Sequence, residues 1–337
     1  MDDLNYPLMT MLLISYNQEK SIAAAIEGAL AQDYQNLEIV ISDDASTDNT
    51  FSLIDNKIQS YVGKHTIKVI RNSENLGIGG NLDQAVRHSN GELIFIAGGD
   101  DVSLPHRVST VANYWLANDR KADLIAAYLN DIDLLGRHHG VIRISDLSLY
   151  SSLEDWARLG PPHVIGAAQA WTRRIFNKFE GIPRGVVGED MVMAFRAISF
   201  GNAVTLPTPL VNYRRGGLTS QRKSLCAADV IYGLTRKLKS SQTELLCMQK
   251  DAKQTGASLF TLGLLNSKLD KEIFIEAMFA SRNTLSKIRI CNRHHLQPLD
   301  FRIRIFVYSA IPWLLTPFFF VKRLYYQRIR SRQKLPM

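Results

Sequence analysis

Residues 8–15 (LMTMLLIS) form an almost unbroken apolar run of strand length, and a polar turn at residues 16–20 separates them from a stretch of different period. There Ile22, Ala25, Ile26, Ala29 and Leu30 recur at i, i+3, i+4, i+7 and i+8, the spacing of one helix face. The alternation then repeats. Residues 37–42 (LEIVIS) predict a second strand. It runs into the turn-rich 43–48 (DDASTD) and a helix marked by Phe51, Ile54, Ile58 and Tyr61. Residues 67–71 predict a third strand and 75–80 (NLGIGG) a glycine-rich turn, with a helix continuing to about His88. A fourth strand, 93–97, ends at Gly98-Gly99-Asp100-Asp101. Beyond it, strands are expected at 123–129, 163–171 and 202–206, and the segment 210–217 closes this region. Glu189 and Asp190 open a helix whose apolar positions are Met191, Ala194, Phe195 and Ile198. From about Ser220 to Ile290 the pattern is helical with basic residues interleaved.

Repeated βα units predict an α/β fold: a Rossmann-like, mostly parallel sheet with helices on both faces, followed by a helical, basic C-terminal region. The expected division is residues 1–220 as the sheet domain, 221–300 as a helical interaction region and 301–337 as a basic apolar tail. Ligands of such sheets bind in the crevice beyond the carboxyl ends of the strands. Ser15, Tyr16, Asp43, Asp44, Asn75, Asp100 and Asp101 all fall at those ends.

Composition narrows the class. At 337 residues and 46% hydrophobic content the chain is ordinary globular material. The net charge of +8 is unevenly placed: residues 285–337 carry eleven Lys/Arg against the single acid Asp300, which leaves the remainder slightly acidic. A near-neutral body with a basic tail points to an anionic surface as the tail's partner. Acidic residues stand where a secretory signal would be basic, so none is expected at the N-terminus. Cys226, Cys247 and Cys291 match no zinc spacing and are expected to be reduced thiols.

The acidic pair Asp100-Asp101 sets the candidate chemistry. Neighbouring side chains of an extended chain point in opposite directions, so the pair is expected to divide its work. One carboxylate would meet a hard divalent cation, Mn²⁺ or Mg²⁺, and the other a hydroxyl-rich ligand. Such a cation in turn suggests a nucleotide diphosphate. Asp44 has two readings that the residues leave open, a base or ribose contact and a cap on the next helix. Asp190 sits where a helix N-terminus favours negative charge, and a carboxylate there can take a proton from an attacking hydroxyl. Gly77-Ile78-Gly79-Gly80 lacks the dinucleotide-binding spacing and follows the third strand, which argues against a dinucleotide-dependent oxidoreductase.

Taken in order, LLISYNQEKSI, LEIVISDDASTDNT, RNSENLGIGGNLDQAVRHSNGELIFIAGGDDVSLPHR and GEDMVMAFRAISFG resemble the family 2 glycosyltransferases, the inverting GT-A class. The resemblance runs from about Leu8 to Ser220. It implies a GT-A fold and transfer of one sugar, with inversion, from a nucleotide-diphosphate donor such as a UDP- or dTDP-sugar. By it, Ser15, Tyr16, Asp44, Asn75 and Asp100 form the donor-binding set, with Tyr16 and Asp44 at the base and Asp100 toward the ribose. Asp101 is the metal ligand for Mn²⁺ or Mg²⁺, and Asp190 is the catalytic base. Two departures stand out. Gly98 occupies the place where many members carry the first Asp of D-x-D-D, and Arg215-Gly216-Gly217 follow Tyr213-Arg214 where many have a histidine. The Q-x-x-R-W motif of processive synthases is absent, so a single transfer per encounter is expected. The alternative is a catalytically degenerate, membrane-associated nucleotide-sugar-binding protein.

The sixteen uncharged residues 306–321 (FVYSAIPWLLTPFFFV) would reach about 24 Å as a straight helix, short of the roughly 30 Å hydrocarbon core. Pro312 and Pro317 oppose a straight span. Basic residues on both sides and the aromatics Trp313, Tyr325 and Tyr326 predict an interfacial or re-entrant anchor on an anionic cytoplasmic leaflet, which would make the protein cytoplasmic and peripheral to the membrane. A tail packed on the body or in a homodimer interface is the other reading. With such an anchor the acceptor is a lipid-linked saccharide or a surface glycan. Nucleic acid is not an expected partner, because the positive charge sits beside apolar aromatics and forms no long cationic stripe.

Overall fold

The computed structural model describes residues 6–214, 226–320 and 322. The chain divides into two compact units, residues 1–220 with 247–262, and residues 221–246 with 263–337.

The first unit opens with β1 (Met9–Ser15), α1 (Ile22–Leu30), β2 (Leu37–Asp43), α2 (Thr50–Gln59), β3 (Thr66–Arg71), α3 (Gly77–Arg87) and β4 (Leu93–Gly98). It continues through β5 (Val102–Ser103), α4 (Arg107–Ala117), β6 (Leu124–Ile132), β7 (His138–Ile142), α5 (Leu153–Leu159), β8 (Gln169–Thr172), α6 (Arg173–Lys178), α7 (Glu189–Ile198) and β9 (Ala203–Arg214). The strands form one sheet in the order β3-β2-β1-β4-β8-β6-β9-β5, with β7 added beside β6. The long pairings are parallel: β1 with β2 and β4, β2 with β3, and β6 with β9. Short antiparallel pairings of β8 with β4 and β6 join the two parallel halves.

The apolar runs explain this order. β1, β2 and β4 are covered on both faces and are apolar at most positions, not only alternate ones, with Thr10 and Glu38 hydrogen-bonded to each other where polar groups intervene. Met9, Met11, Leu13, Ile39, Ile41 and Phe95 pack with Ile22 and Ile26 of α1 and Trp115 of α4 in the main core. Each such side chain contributes about 1.5–3 kcal/mol by leaving water. β3 alternates exposed and half-buried positions and carries Lys68 and Arg71, as suits an edge strand.

Several expectations change. The strand expected at 163–171 exists only from Gln169. Before it the chain makes a short 3-10 turn, Gly166–Ala168, whose glycine lies against Glu189: a Cβ at Gly166 would sit 2.6 Å from Glu189 Oε1. The glycines of 75–80 do not all form a turn, because α3 already begins at Gly77. Residues 202–206 and 210–214 belong to one strand, β9, whose register against β6 shifts around Tyr128 and so accommodates Pro207 and Pro209; Arg215, Gly216 and Gly217 lie outside the described residues. α5, α6, β5 and β7 were not signalled by period, and α4 adds a helix whose stripe is Val108, Val111, Ala112 and Trp115.

The second unit is helical. It is built from α8 (Ala227–Thr235), parts of α9 (Leu238–Gln254) and α10 (Leu259–Ala280), α11 (Thr284–Arg293) and α12 (Leu299–Ala310). Leu238, Phe274, Ile275, Met278 and Ile305 form its core. The apolar run of the tail is broken at Ile311, where Pro312 opens a 3-10 turn, and the segments Leu299–Ala310 and Pro312–Phe320 are bent by 108°. Among the described residues no single helix is long and apolar enough to cross a membrane; that bent pair passes the same test only taken together. Trp313, Leu314, Phe318 and Phe320 are exposed. Tyr325, Tyr326 and the basic residues from Arg323 onward lie outside the described residues.

Candidate active site

The carboxyl ends of β1, β2 and β4 carry three loops that are laced together. Asn17, in a left-handed conformation (φ 52°), turns the chain after Tyr16. Its amide donates to Ser46 Oγ at 2.9 Å, and its side-chain oxygen accepts from the Thr47 amide. The amides of Gln18 and Glu19 donate to Thr50 Oγ1 and Asp48 Oδ2. Ser15 is buried, and its carbonyl accepts the Asp44 amide at 2.9 Å, while Tyr16 stands 42% exposed on the loop. A rigid floor thus presents one accessible aromatic ring.

Asp44 is buried and its carboxylate is engaged. Oδ1 accepts from Asn72 Nδ2 (2.9 Å) and the Leu76 amide (2.8 Å), and Oδ2 from the Gly77 amide (2.9 Å). It therefore clamps the start of α3 to the end of β2, and Oδ2 keeps acceptor capacity for a further donor. Asp43 is tied to Ser46 and faces Arg71 at 4.0 Å. Asn75 is exposed, with Oδ1 accepting the Gly77 amide at 3.0 Å. The left-handed Gly77 and the close approach of Gly79 to the Val186 carbonyl (3.0 Å from its amide) account for the glycine-rich segment.

After β4 the chain does not stay extended. The Asp101 amide donates to the Gly98 carbonyl (3.2 Å), and this turn brings the two carboxylates to the same side. A Cβ on Gly98 would lie 2.9 Å from Asp100 Oδ1 and 3.5 Å from Asp101 Oδ2. The expectation that they point apart is thus corrected: it assumed an extended chain where there is a turn. Burial raises the pKa of Asp100, and burial together with the Asp100 charge pushes Asp101 up to about 7. The Arg214 amide donates to Asp101 Oδ1 (2.9 Å), and the Arg214 guanidinium is fixed by the carbonyls of Asp100, Asp133 and Leu134.

Asp190 is the second residue of α7, after Glu189, and lies half-buried. Its Oδ1 accepts the Met191 amide at 2.7 Å, and its backbone carbonyl accepts from Gln169 Nε2 at 3.2 Å. Two negative residues, Glu189 and Asp190, occupy the first turn, where the helix dipole favours them.

No cluster of three or more His, Cys, Asp or Glu suited to a metal occurs among the described residues. The Asp100–Asp101 pair does fit a hard divalent cation, which commonly takes only one or two protein carboxylates and completes its shell with phosphate and water. The buried amide oxygen of Gln18 supports that fit. It has no hydrogen-bond partner, and it sits 2.3 Å from where a Gly99 Cβ would be, so only glycine leaves it room. Two buried residues, Arg107 and Gln169, and the half-buried Gln18 with its enclosed amide oxygen went unnoticed in the sequence. The one signal was Arg107 itself, a charge on the face of α4 that also carries Val108, Val111, Ala112 and Trp115.

The Glycosyl transferase family 2 profile matches residues 10–179, just over half of the chain. The putative glycosyltransferase EpsE of Bacillus subtilis is 34% identical over 102 residues, 30% of this chain and 36% of that protein. The Escherichia coli UDP-Glc:alpha-D-GlcNAc-diphosphoundecaprenol beta-1,3-glucosyltransferase WfaP is 33% identical over 107 residues, 32% of this chain and 41% of that protein. The chain thus spans well under two thirds of these relatives. Among solved structures, S. aureus TarS 1–349 in complex with UDP-GlcNAc aligns over 89% of this chain and 88% of its own, with TM-score 0.51 and 15% identity. The mannosyltransferase PcManGT from Pyrobaculum calidifontis in complex with GDP-Man and Mn²⁺ aligns over 92% and 86%, with TM-score 0.52 and 18% identity. At such identities the likeness shows the GT-A fold alone.

Proposed function

The chain belongs to glycosyl transferase family 2, and on that premise we propose that it moves one sugar from a nucleotide-diphosphate donor to the hydroxyl of a lipid-linked or growing polysaccharide acceptor, with inversion at the anomeric carbon. The observation that carries this is the acidic pair at the end of β4, half-buried Asp100 and buried Asp101, two carboxylates turned to one side with burial raising the pKa of both. Tyr16 offers a ring for the base to stack on. Asp44, with Oδ2 still able to accept, and Asn75 stand beside it as contacts to base and ribose. Asp100 meets the donor's ribose, and Asp101 would hold Mn²⁺ or Mg²⁺. When bound, that ion supplies positive charge to the departing diphosphate. Arg214, fixed against the same pair, adds a second positive group on that side. Asp190 accepts the proton of the acceptor hydroxyl as its oxygen attacks, and the nucleoside diphosphate leaves from the opposite side.

The acceptor class is drawn from relatives such as the E. coli glucosyltransferase. It also rests on the bent apolar pair at the tail, which we take to lie on an anionic cytoplasmic membrane face. A homodimer through the same apolar surface is the competing use of it.

A donor screen tests the reaction. UDP-, dTDP- and GDP-sugars would be offered with Mn²⁺ or with a chelator, and free nucleoside diphosphate measured. Release from at least one donor that stops on chelation is expected. Binding without release from any donor would make the protein a degenerate transferase, and neither binding nor release would remove the proposal.

A further inference from the structure

Two wholly buried side chains that the scheme above leaves unused connect its two halves. Arg107, the first residue of α4, is 1% exposed. Its Nη1 donates to Ser103 Oγ (2.9 Å), and Nη2 is shared between the carbonyls of Ile96 (2.8 Å) and Gln169 (3.1 Å). Ile96 lies on β4, two residues before Gly98, and Gln169 opens β8, the antiparallel neighbour of β4. The Gln169 carboxamide is held at both ends. Its oxygen accepts from Trp171 Nε1 at 2.7 Å, and its nitrogen donates to the Asp190 carbonyl at 3.2 Å. Gln169 and Trp171 are both 0% exposed.

The path therefore runs from the strand that ends in the acidic pair, through Arg107 and Gln169, to the first turn of α7. A buried guanidinium and carboxamide are costly unless fully partnered, and apolar groups of the same volume often pack as well or better. These polar groups instead bond the backbone of three separate elements, β4, β8 and α7, which apolar packing cannot do with the same directionality.

We propose that Arg107 and Gln169 are positioning residues that fix the placement of Asp190 relative to the Asp100–Asp101 pair. The inference rests on the reading of Asp190 as the base. Reacting groups displaced by about 1 Å lose on the order of 100-fold in rate, so a bridge of this kind acts on turnover more than on donor binding.

The test uses the full chain with whichever of UDP, dTDP and GDP it binds in the presence of Mn²⁺, and with the matching nucleotide sugar as donor. Binding is read by calorimetry, turnover as the nucleoside diphosphate freed when the sugar passes to acceptor or water, and folding by thermal melting. Gln169→Leu is expected to keep nucleotide affinity within about twofold while kcat falls about 10- to 100-fold. Introduced into Asp190→Asn, it is expected to add no further loss, because the group it positions is already gone. Arg107→Lys keeps the charge but not the fork, and is expected to weaken nucleotide–Mn²⁺ binding as well as kcat. Should Gln169→Leu fail to fold, Trp171→Phe, which removes the indole N–H that holds the Gln169 carboxamide together with part of the buried ring, carries the same test with a smaller loss of kcat. Parent-level kcat in the folded variant, or losses that multiply in the Asp190→Asn background, would overturn the bridge while leaving the base standing. Full turnover in Asp190→Asn alone would overturn the base and the bridge together.

Discussion

Asp101 and Asp251 are both buried carboxylates, and the protein treats them in opposite ways. Asp251, 2% exposed, receives Arg196 Nε at 2.7 Å, and the same guanidinium is further held by the Gly181 carbonyl and Cys247 Sγ, with the Phe179 ring beneath it. Each nitrogen of the guanidinium has a protein partner. Asp101 has one backbone amide on Oδ1 and the Asp100 carboxylate for a neighbour, and although the Arg107 and Arg214 charges favour its ionised form, burial and Asp100 push its pKa up to about 7. The first arrangement serves stability and the second suits a ligand. Removing one side of a buried ion pair strands the other, so Asp251→Ala is expected to cost about 3–5 kcal/mol. Chemical denaturation would show this as a lower midpoint with donor affinity unchanged in the remaining folded protein. The Cys247 thiol beside the pair is pushed up to about 11 by burial. Its folded pKa lies above the usual 9, so the neutral form is favoured in the fold and stability is expected to fall as pH rises from about 9 to 11. A pH series of melting temperatures checks that sign, and Cys247→Ser should flatten it.

Among the elements, α3 shows how a glycine-rich segment becomes part of a site. Asp44 clamps its first amides, and Gly79 lies against the loop before α7: a Cβ there would come 2.8 Å from the Val186 carbonyl and 2.9 Å from that of Pro183. Gly79→Ala should force that loop away at a cost of about 1–3 kcal/mol, measurable as a lower melting temperature. The strands and helices that build this region were legible because each has a clean pattern: β1, β2 and β4 as mostly apolar runs, β3 as an alternating edge strand, α1, α2 and α7 as one-sided stripes. β5 and β7 have two and five residues, too few for a period to register. β8 was placed too early because the apolar residues before it, Val164 and Ile165 among them, look like strand, whereas the chain there makes a 3-10 turn with Glu189 lying against Gly166. The position of Asp190 at a helix start was likewise visible in sequence. The turn that aligns Asp100 with Asp101 was not, since it depends on a hydrogen bond between the Asp101 amide and the Gly98 carbonyl. Gln169 escaped notice because a buried glutamine is defined by what surrounds it, and Gln18 because only its amide oxygen is enclosed.

For the molecule as a whole, the body and the tail differ in charge and in surface. The sheet unit carries the candidate site, while the helical unit ends in a bent apolar segment with exposed Trp313, Leu314, Phe318 and Phe320 and basic sequence beyond it. Apolar burial at the headgroup boundary and attraction to anionic lipid act together in such segments. Co-sedimentation with phosphatidylglycerol vesicles is therefore expected to exceed that with phosphatidylcholine. It should weaken at raised salt and drop when Trp313, Phe318 and Phe320 are replaced by serine. Equal recovery in the supernatant with both lipids would favour the dimer reading, which sedimentation velocity would then show as a concentration-dependent species.

The central claim is a division of labour between carboxylates, with the pair after β4 holding the donor and Asp190 extracting a proton. Asp190→Asn separates the two most directly when nucleotide binding and sugar transfer are measured on one preparation. We expect nucleoside diphosphate with Mn²⁺ to bind it as tightly as the parent while transfer falls by about 100-fold or more. Transfer at the parent rate would contradict the account.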